Sequence, residues 1–230
     1  FTKYNPIMPS IEKSTLTFLK DIAKNNHKDW FAENKPRYLE AKANMENFMD
    51  AVQDRLNKTD VIDGYKVYRI YRDVRFSKDK TPYKTYLHAY LKRDGASRRG
   101  GYWVGIEPGN TSIGGGFYGP EKDDLLRIRK EIEADGKTMY DIVNSPNFIK
   151  HFGSIKGEGL KTAPKGFDKE HPHIDLLRKK QFYAMESFTD SEVLDPDFAD
   201  KVVETLHAIR PFFDYMSDVL TTDLNGRSLI

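Results

Sequence analysis

Residues 65–118 read YKVYRIYRDVRFSKDKTPYKTYLHAYLKRDGASRRGGYWVGIEPGNTSIGGGFY. This is the most β-like, most basic and most aromatic part of the chain, and its reading decides the fold. From Lys66 to Phe76 apolar and polar residues alternate, which is the period of a half-buried strand. Side chains two apart share a face. Tyr68, Ile70, Arg72, Val74 and Phe76 therefore form an apolar side, and Val67, Arg69, Tyr71, Asp73 and Arg75 the polar one. Arg72 is out of place on the apolar side. A buried guanidinium without a partner is costly, so Arg72 requires an internal carboxylate or a bound anion. Residues 77–82 break the strand, because Ser and Asp favour turns and Pro82 has no N–H for a central ladder. Strands follow at 85–91, 102–107 and 111–118, which predicts a four-stranded antiparallel meander. Gly114, Gly115 and Gly116 weaken the last strand and point to a bulge, or to close approach by another backbone or a ligand.

Outward from the meander the chain reads as helices. Leu16, Leu19, Ile22 and Ala23 fall at helical spacing, and Asn25-Asn26 closes that helix. A short helix carries Trp30 and Phe31. Pro36 then suits the first turn of a longer helix ending near Leu56, with Tyr38, Met45, Phe48, Met49, Val52 and Leu56 as its buried stripe. Beyond the meander a helix runs from Glu121 to about Ala134 with Gly136 as its stop, and two short helices follow at 138–143 and 147–152. His171-Pro172 opens another helix, residues 181–188 alternate as a further strand, and Pro211 breaks the C-terminal helical region. These readings give an α+β class: a meander of four to six strands, with the strand near 181–188 added, packed with N-terminal, middle and C-terminal helices. A single α+β domain over residues 1–230 is expected, with a helical N-terminal part 12–57, the central sheet 65–118 and a helical remainder 120–222.

Composition narrows the function. The sequence contains no cysteine, which excludes disulfides, iron–sulfur clusters and thiolate zinc sites. It has no run of about 18 apolar residues and no signal-peptide pattern. A soluble cytoplasmic protein without membrane contact is expected. The sequence opens on Phe1 rather than Met, so a few native residues are expected to precede it. The formal net charge of +2 hides an asymmetry: residues 65–100 hold eleven Lys or Arg against three Asp, a local +8 that leaves −6 for the rest. Concentrated positive charge favours an anionic ligand or an acidic partner.

Arg72, Arg75, Lys80, Tyr83 and Lys84 are the candidate ligand-binding residues. His88 and Asp73 are the candidate catalytic pair, with one as base and the other orienting it. The competing reading is a solvated sheet face whose charges pair with the acidic helices. His171 and His173, with Asp168, Glu170 and Asp175 nearby, are the candidate metal ligands, although His-Pro at a helix start also explains them. Their spacing is not a recognised ligand pattern, and no Walker or G-x-S-x-G pattern is present; no metal and no cofactor is expected. Tyr71, Tyr83, Tyr86 and Tyr90 interleave with the cations and could stack on single-stranded nucleic acid. The acidic remainder of the chain argues against that partner.

The segment from Arg72 to Lys84, RDVRFSKDKTPYK, resembles the signature of a family found in bacteria and fungi, the domain of unknown function 2461. Three more stretches are similar to that family. They are Phe18-Leu19 through Asn25-Asn26 to Trp30-Phe31, the Gly-Tyr-Trp and Gly-Gly-Gly-Phe-Tyr runs, and Ala163-Pro164-Lys165-Gly166 followed by His171-Pro172. The resemblance implies a single compact α+β domain and carries over no activity and no catalytic residue. The leading expectation is a protein that binds a small anionic ligand, phosphorylated or carboxylated, on its basic sheet face. Hydrolysis or transfer on that ligand would use His88 or Asp73 as base. One alternative is a non-enzymatic module that docks an acidic protein partner, and the other is binding of single-stranded nucleic acid.

Overall fold

A computed structural model describes residues 9–230; residues 1–8 lie outside the described part. Helix α1 (Lys13–Lys24) buries Leu16, Phe18, Leu19 and Ile22 and packs on α2 (Lys28–Leu56). The stripe expected on α2 is buried throughout, from Tyr38 to Leu56. The break expected ahead of Pro36 does not occur, and α2 runs through it. Proline removes one backbone donor but sets φ near a helical value. The burial of Phe31 on one side and of Tyr38, Ala41 and Met45 on the other outweighs that one lost bond.

Strands β1 (Ile62–Val67), β2 (Leu87–Arg93), β3 (Gly101–Ile106), β4 (Thr111–Phe117) and β5 (Phe182–Phe188) form one antiparallel sheet in the order β1-β2-β3-β4-β5. The α+β class, the meander and the added fifth strand are those the sequence predicts. The first strand is displaced: regular pairing covers 62–67 rather than 66–76. Beyond it, Tyr68 N–H donates to His88 O (2.9 Å), Lys84 N–H to Ile70 O (2.8 Å) and Arg72 N–H to Pro82 O (2.9 Å), with one isolated bridge between Tyr71 and Tyr83. Pro82 cannot return a bond, and the side chains of Arg72, Asp73 and Asp79 take over from the ladder. The hairpin closes as an irregular arm, and Phe76, placed on the core face by alternation, is 96% exposed.

Between β4 and β5 lie α3 (Lys122–Val143), α4 (Pro146–Phe152) and α5 (Ile174–Arg178). The stop expected at Gly136 falls one residue earlier. Asp135 leaves helical geometry at φ −145° and ψ 69°, and its carboxylate accepts from the Thr138 N–H at 3.4 Å, which caps the second half of α3, and from the Thr138 hydroxyl at 2.6 Å. Helices α6 (Asp190–Val193), α7 (Phe198–Ala208) and α8 (Arg210–Thr221) complete the chain, with Pro211 in the first turn of α8.

The chain divides into two compact units. The first comprises residues up to Leu91, Trp103–Ile113 and Ser187–Glu204. Its core holds the α1–α2 pair, with Leu87, Ala89, Leu91, Val104, Ile106 and Ile113 from the strands, and Phe48 stacked on Phe198 at 5.4 Å. The second comprises Lys92–Tyr102, Gly114–Glu186 and Thr205–Ile230. There α3 packs on α8, and Tyr102 meets Phe213 at 5.1 Å. The second unit also explains the glycine run. A Cβ on Gly114 would lie 2.0 Å from the Ala184 carbonyl, one on Gly115 2.3 Å from the Gly101 carbonyl, and Gly116 has φ +150°. The cause is a neighbouring backbone on each count, and backbone cannot step aside. Gly114→Ala should therefore lower stability by roughly 3 kcal/mol or more, read as a fall in the urea midpoint; an unchanged midpoint would mean that the strands can separate at no cost.

Candidate functional site

The candidate cations sit on the arm between β1 and β2, and most of them are engaged within it. Arg72 donates to the Asp79 carboxylate (2.6 Å), to the Thr81 carbonyl (2.9 Å) and to the Thr81 hydroxyl. Asp79 in turn accepts from the Thr81 N–H at 2.9 Å. That backbone bond, then the Thr81 hydroxyl and Arg72, hold the Asp79 carboxyl below the usual carboxylate range. Arg75 grips the Asp73 carboxylate with two nitrogens, at 2.9 and 2.6 Å, and lowers its pKa. Lys80 donates to the Val74 carbonyl at 2.8 Å. Tyr83 is a core residue: its ring stacks on Phe31 at 4.1 Å, and Asn26 bonds both its N–H and its C=O. Asp73 does not meet His88, since its carboxylate belongs to Arg75.

Lys84 differs. It is half-buried, its Nζ donates to the Arg69 carbonyl at 3.0 Å, and among the described residues no carboxylate lies within ion-pairing distance. Burial, and then the Arg69 charge, lower its pKa. It lines a cleft of ≈ 490 Å³ with Arg72, Asp79, Thr85 and Tyr86. Two residues past Tyr86 on the same strand run, His88 is 6% exposed and stands between Tyr68 (4.7 Å, 7°) and Trp103 (4.5 Å, 25°). Its Nδ1 is buried and has no hydrogen-bond partner. Burial first, then Lys84, push its pKa down to about 4. Lys66 and Lys84 lie 5.1 and 5.9 Å from the Tyr68 ring centroid, within cation–π reach.

At the far end of β2 the positive charge meets acids of the second unit. Arg93, 4% exposed, donates to Asp214 of α8 at 2.7 Å, and Arg99 pairs with Asp124 of α3. The two histidines proposed for metal stand with ring centroids 5.9 Å apart, and His171 Nδ1 accepts from the His173 N–H at 3.1 Å. His173 packs against Gly136. Among the described residues no group of three or more His, Asp or Glu is placed to hold a metal ion. No helix among them is long and apolar enough to cross a membrane.

The family model of a conserved hypothetical protein, DUF2461, matches residues 14–215. The chain belongs to the DUF2461 family. No curated protein and no solved structure gives a significant match. In this DUF2461 protein the arm that carries the family-like segment is cross-bonded by its own side chains. Sequence reasoning placed Arg69 and Lys84 in one basic cluster but missed Tyr68, Trp103 and Lys66 as neighbours of Lys84 and His88. The signal was available in part: Lys84, Tyr86 and His88 share a face by alternation, as do Trp103 and Gly105 across from them. Gly105 leaves room for the indole, which would lie 2.7 Å from a Cβ there.

His88 titrates near 4 when folded against an ordinary 6.5. The unfolded chain therefore binds a proton between those values that the folded chain refuses. Stability rises with pH across that window and is independent of this group above it. His88→Phe keeps an aromatic ring in the stack and removes the proton. It should restore on the order of 2 kcal/mol at pH 4.5 relative to wild type, each having been referred to its own stability at pH 7. Urea unfolding at the two pH values measures this, and equal slopes in the two proteins would acquit His88.

Proposed function

We propose that this DUF2461 protein binds a small anionic ligand, phosphorylated or carboxylated, at Lys84 and Arg69 on the lip of the arm's cleft. The observation that carries this reading is the contrast among the cations. Arg72 and Arg75 are paired with carboxylates within the arm and Lys80 is exposed on the Val74 carbonyl, whereas Lys84 is half-buried with a carbonyl, a neighbouring cation and, among the described residues, no carboxylate. Burial first, and then the Arg69 charge, lower the Lys84 pKa, and an anion placed there would offset both. Arg72 and Tyr83 act as braces in this arrangement. Asp73 is held by Arg75 and the His88 Nδ1 is enclosed, so the proposal stops at binding. A cytoplasmic setting belongs to the same proposal and rests on the cysteine-free sequence.

Thermal unfolding at low salt with inorganic phosphate, citrate and ATP tests it. A probe at about 100 times its Kd adds ~2.7 kcal/mol to the stability of wild type. The gain should disappear in Lys84→Met and shrink in Arg69→Gln, and persist in Arg75→Ala. Absence of any shift, or a shift that survives Lys84→Met, would end the reading.

A second reading draws on Phe76, exposed at the tip of the arm beside Arg75. An aromatic with an arginine next to it is the usual composition of a docking hot spot. The arm would then anchor the protein on an acidic partner with an apolar pocket. Phe76→Ser should leave the melting temperature within about ±0.5 kcal/mol of wild type while abolishing co-purification of the partner; co-purification that survives removes the reading. Single-stranded nucleic acid draws the least support, because Tyr83 already stacks on Phe31 and Tyr71 packs edge-on against it.

A further inference from the structure

We infer that Lys84 is a reactive amine, and that the anion taken at this site also carries an aldehyde or ketone, which Lys84 holds as an imine. The inference deepens the anion reading, since Arg69 is the group that would face the carboxylate or phosphate of such a ligand.

Three structural facts support it. Lys84 opens onto the cleft, so its Nζ can be approached from solvent. Lys66 and Lys84 both lie over the Tyr68 ring, the Lys84 Nζ donates to the backbone carbonyl of Arg69, and among the described residues no acid is in ion-pairing range of Lys84 to hold its proton. A lysine that is partly desolvated beside another cation is the arrangement that exposes a free amine near neutral pH. Finally, the group two positions beyond Tyr86 is His88, an imidazole enclosed by Tyr68, Trp103 and Tyr86 that stays uncharged at pH 7, so no carboxylate or charged partner competes for Lys84 from that side. Other lysines of the chain are placed differently: Lys20 pairs with Asp190 at 2.8 Å, and Lys42 and Lys137 pair with Glu46 and Asp141 one turn along their helices. Lys179 is also lowered by burial, but Asp175 acts to raise it, which makes it the stringent internal control.

The chemistry balances without a redox partner. The Nζ lone pair attacks the carbonyl carbon and a C–N bond forms. The π pair moves to oxygen, which takes a proton while the nitrogen loses one. The hydroxyl then leaves as water, so that amine plus carbonyl compound gives imine plus water. The class of ligand is therefore an anionic carbonyl compound, and a 2-oxo acid and a phosphorylated aldehyde are its two sources.

The full chain is incubated at pH 7 with sodium cyanoborohydride and a limiting amount of pyridoxal 5′-phosphate, glyoxylate or uncharged acetaldehyde. Peptide mapping then gives the labelling rate at every lysine. Lys84 should be labelled severalfold faster than exposed Lys13 and Lys165 and faster than Lys179, because a lowered pKa leaves more of the amine unprotonated at pH 7. Arg69→Gln should slow Lys84 labelling severalfold with the fold intact, an effect that mere exposure would not produce. Preference for pyridoxal 5′-phosphate or for glyoxylate decides between the two sources. If acetaldehyde selects Lys84 and the two anions gain nothing over it, the reactive amine stands and the anion reading falls. If phosphate stabilises the wild type but Lys84 is labelled no faster than Lys13, the anion reading stands and this inference is overturned.

Discussion

The guanidinium of Arg72 is three-quarters covered, and a guanidinium so placed has to be met by acceptors on several of its five donors. Asp79 and Thr81 meet it, and to do so the chain between them folds back under Arg72. Much of the candidate site follows from that demand. The fold-back ends the regular ladder at β1, uses up Asp79 and leaves Phe76 no core to enter. Arg75 closes on Asp73 in the same arm, so both acids of the arm are committed. Lys84, next along the strand run, is then left with a carbonyl. Exposed ion pairs are individually weak; it is their joint geometry that fixes the arm.

The second unit handles charge and space by other means. Buried Arg93 and half-buried Arg99 are met by acids from α8 and α3. Ser217 of α8 also accepts from the Arg99 N–H at 2.8 Å, which ties the end of the loop to the helix. The glycine run in β4 serves neither a turn nor a ligand. Carbonyls of Ala184 and Gly101 occupy the volume where side chains would stand. Of the cations behind the local +8, Arg72, Arg75, Arg93 and Arg99 thus belong to structural pairs, whereas Lys66 and Lys84 gather at Tyr68.

The fold was largely legible because its signals are periodic. The stripe Tyr38–Met45–Phe48–Val52 and the alternation at 85–91 and 102–107 each repeat often enough to average out exceptions. Pro36 and the first strand were misplaced, since a single local rule was set against burial or against side-chain bonds that only the folded arm reveals. The site was less legible for a different reason. Whether a basic residue is free depends on where a carboxylate distant or adjacent in sequence comes to rest. Asp73 beside Arg75 could have been seen as a pair two residues apart, and Asp79 beside Arg72 could not. Lys84 and Lys80 look alike in the sequence; the difference between them is the burial of the one and the exposure of the other.

The stacking of Trp103 on His88 has an optical consequence. The chain has two tryptophans, Trp30 and Trp103. An imidazole facing an indole at 4.5 Å is a weak quencher when neutral and a strong one when protonated, because the charged ring accepts an electron from the excited indole. With Trp30 replaced, the remaining emission would report directly on the ring it touches. Near pH 4, where the His88 charge is in balance, events on the Lys84 side of the stack bear on that charge through space and would then be visible as changes in brightness without any added label.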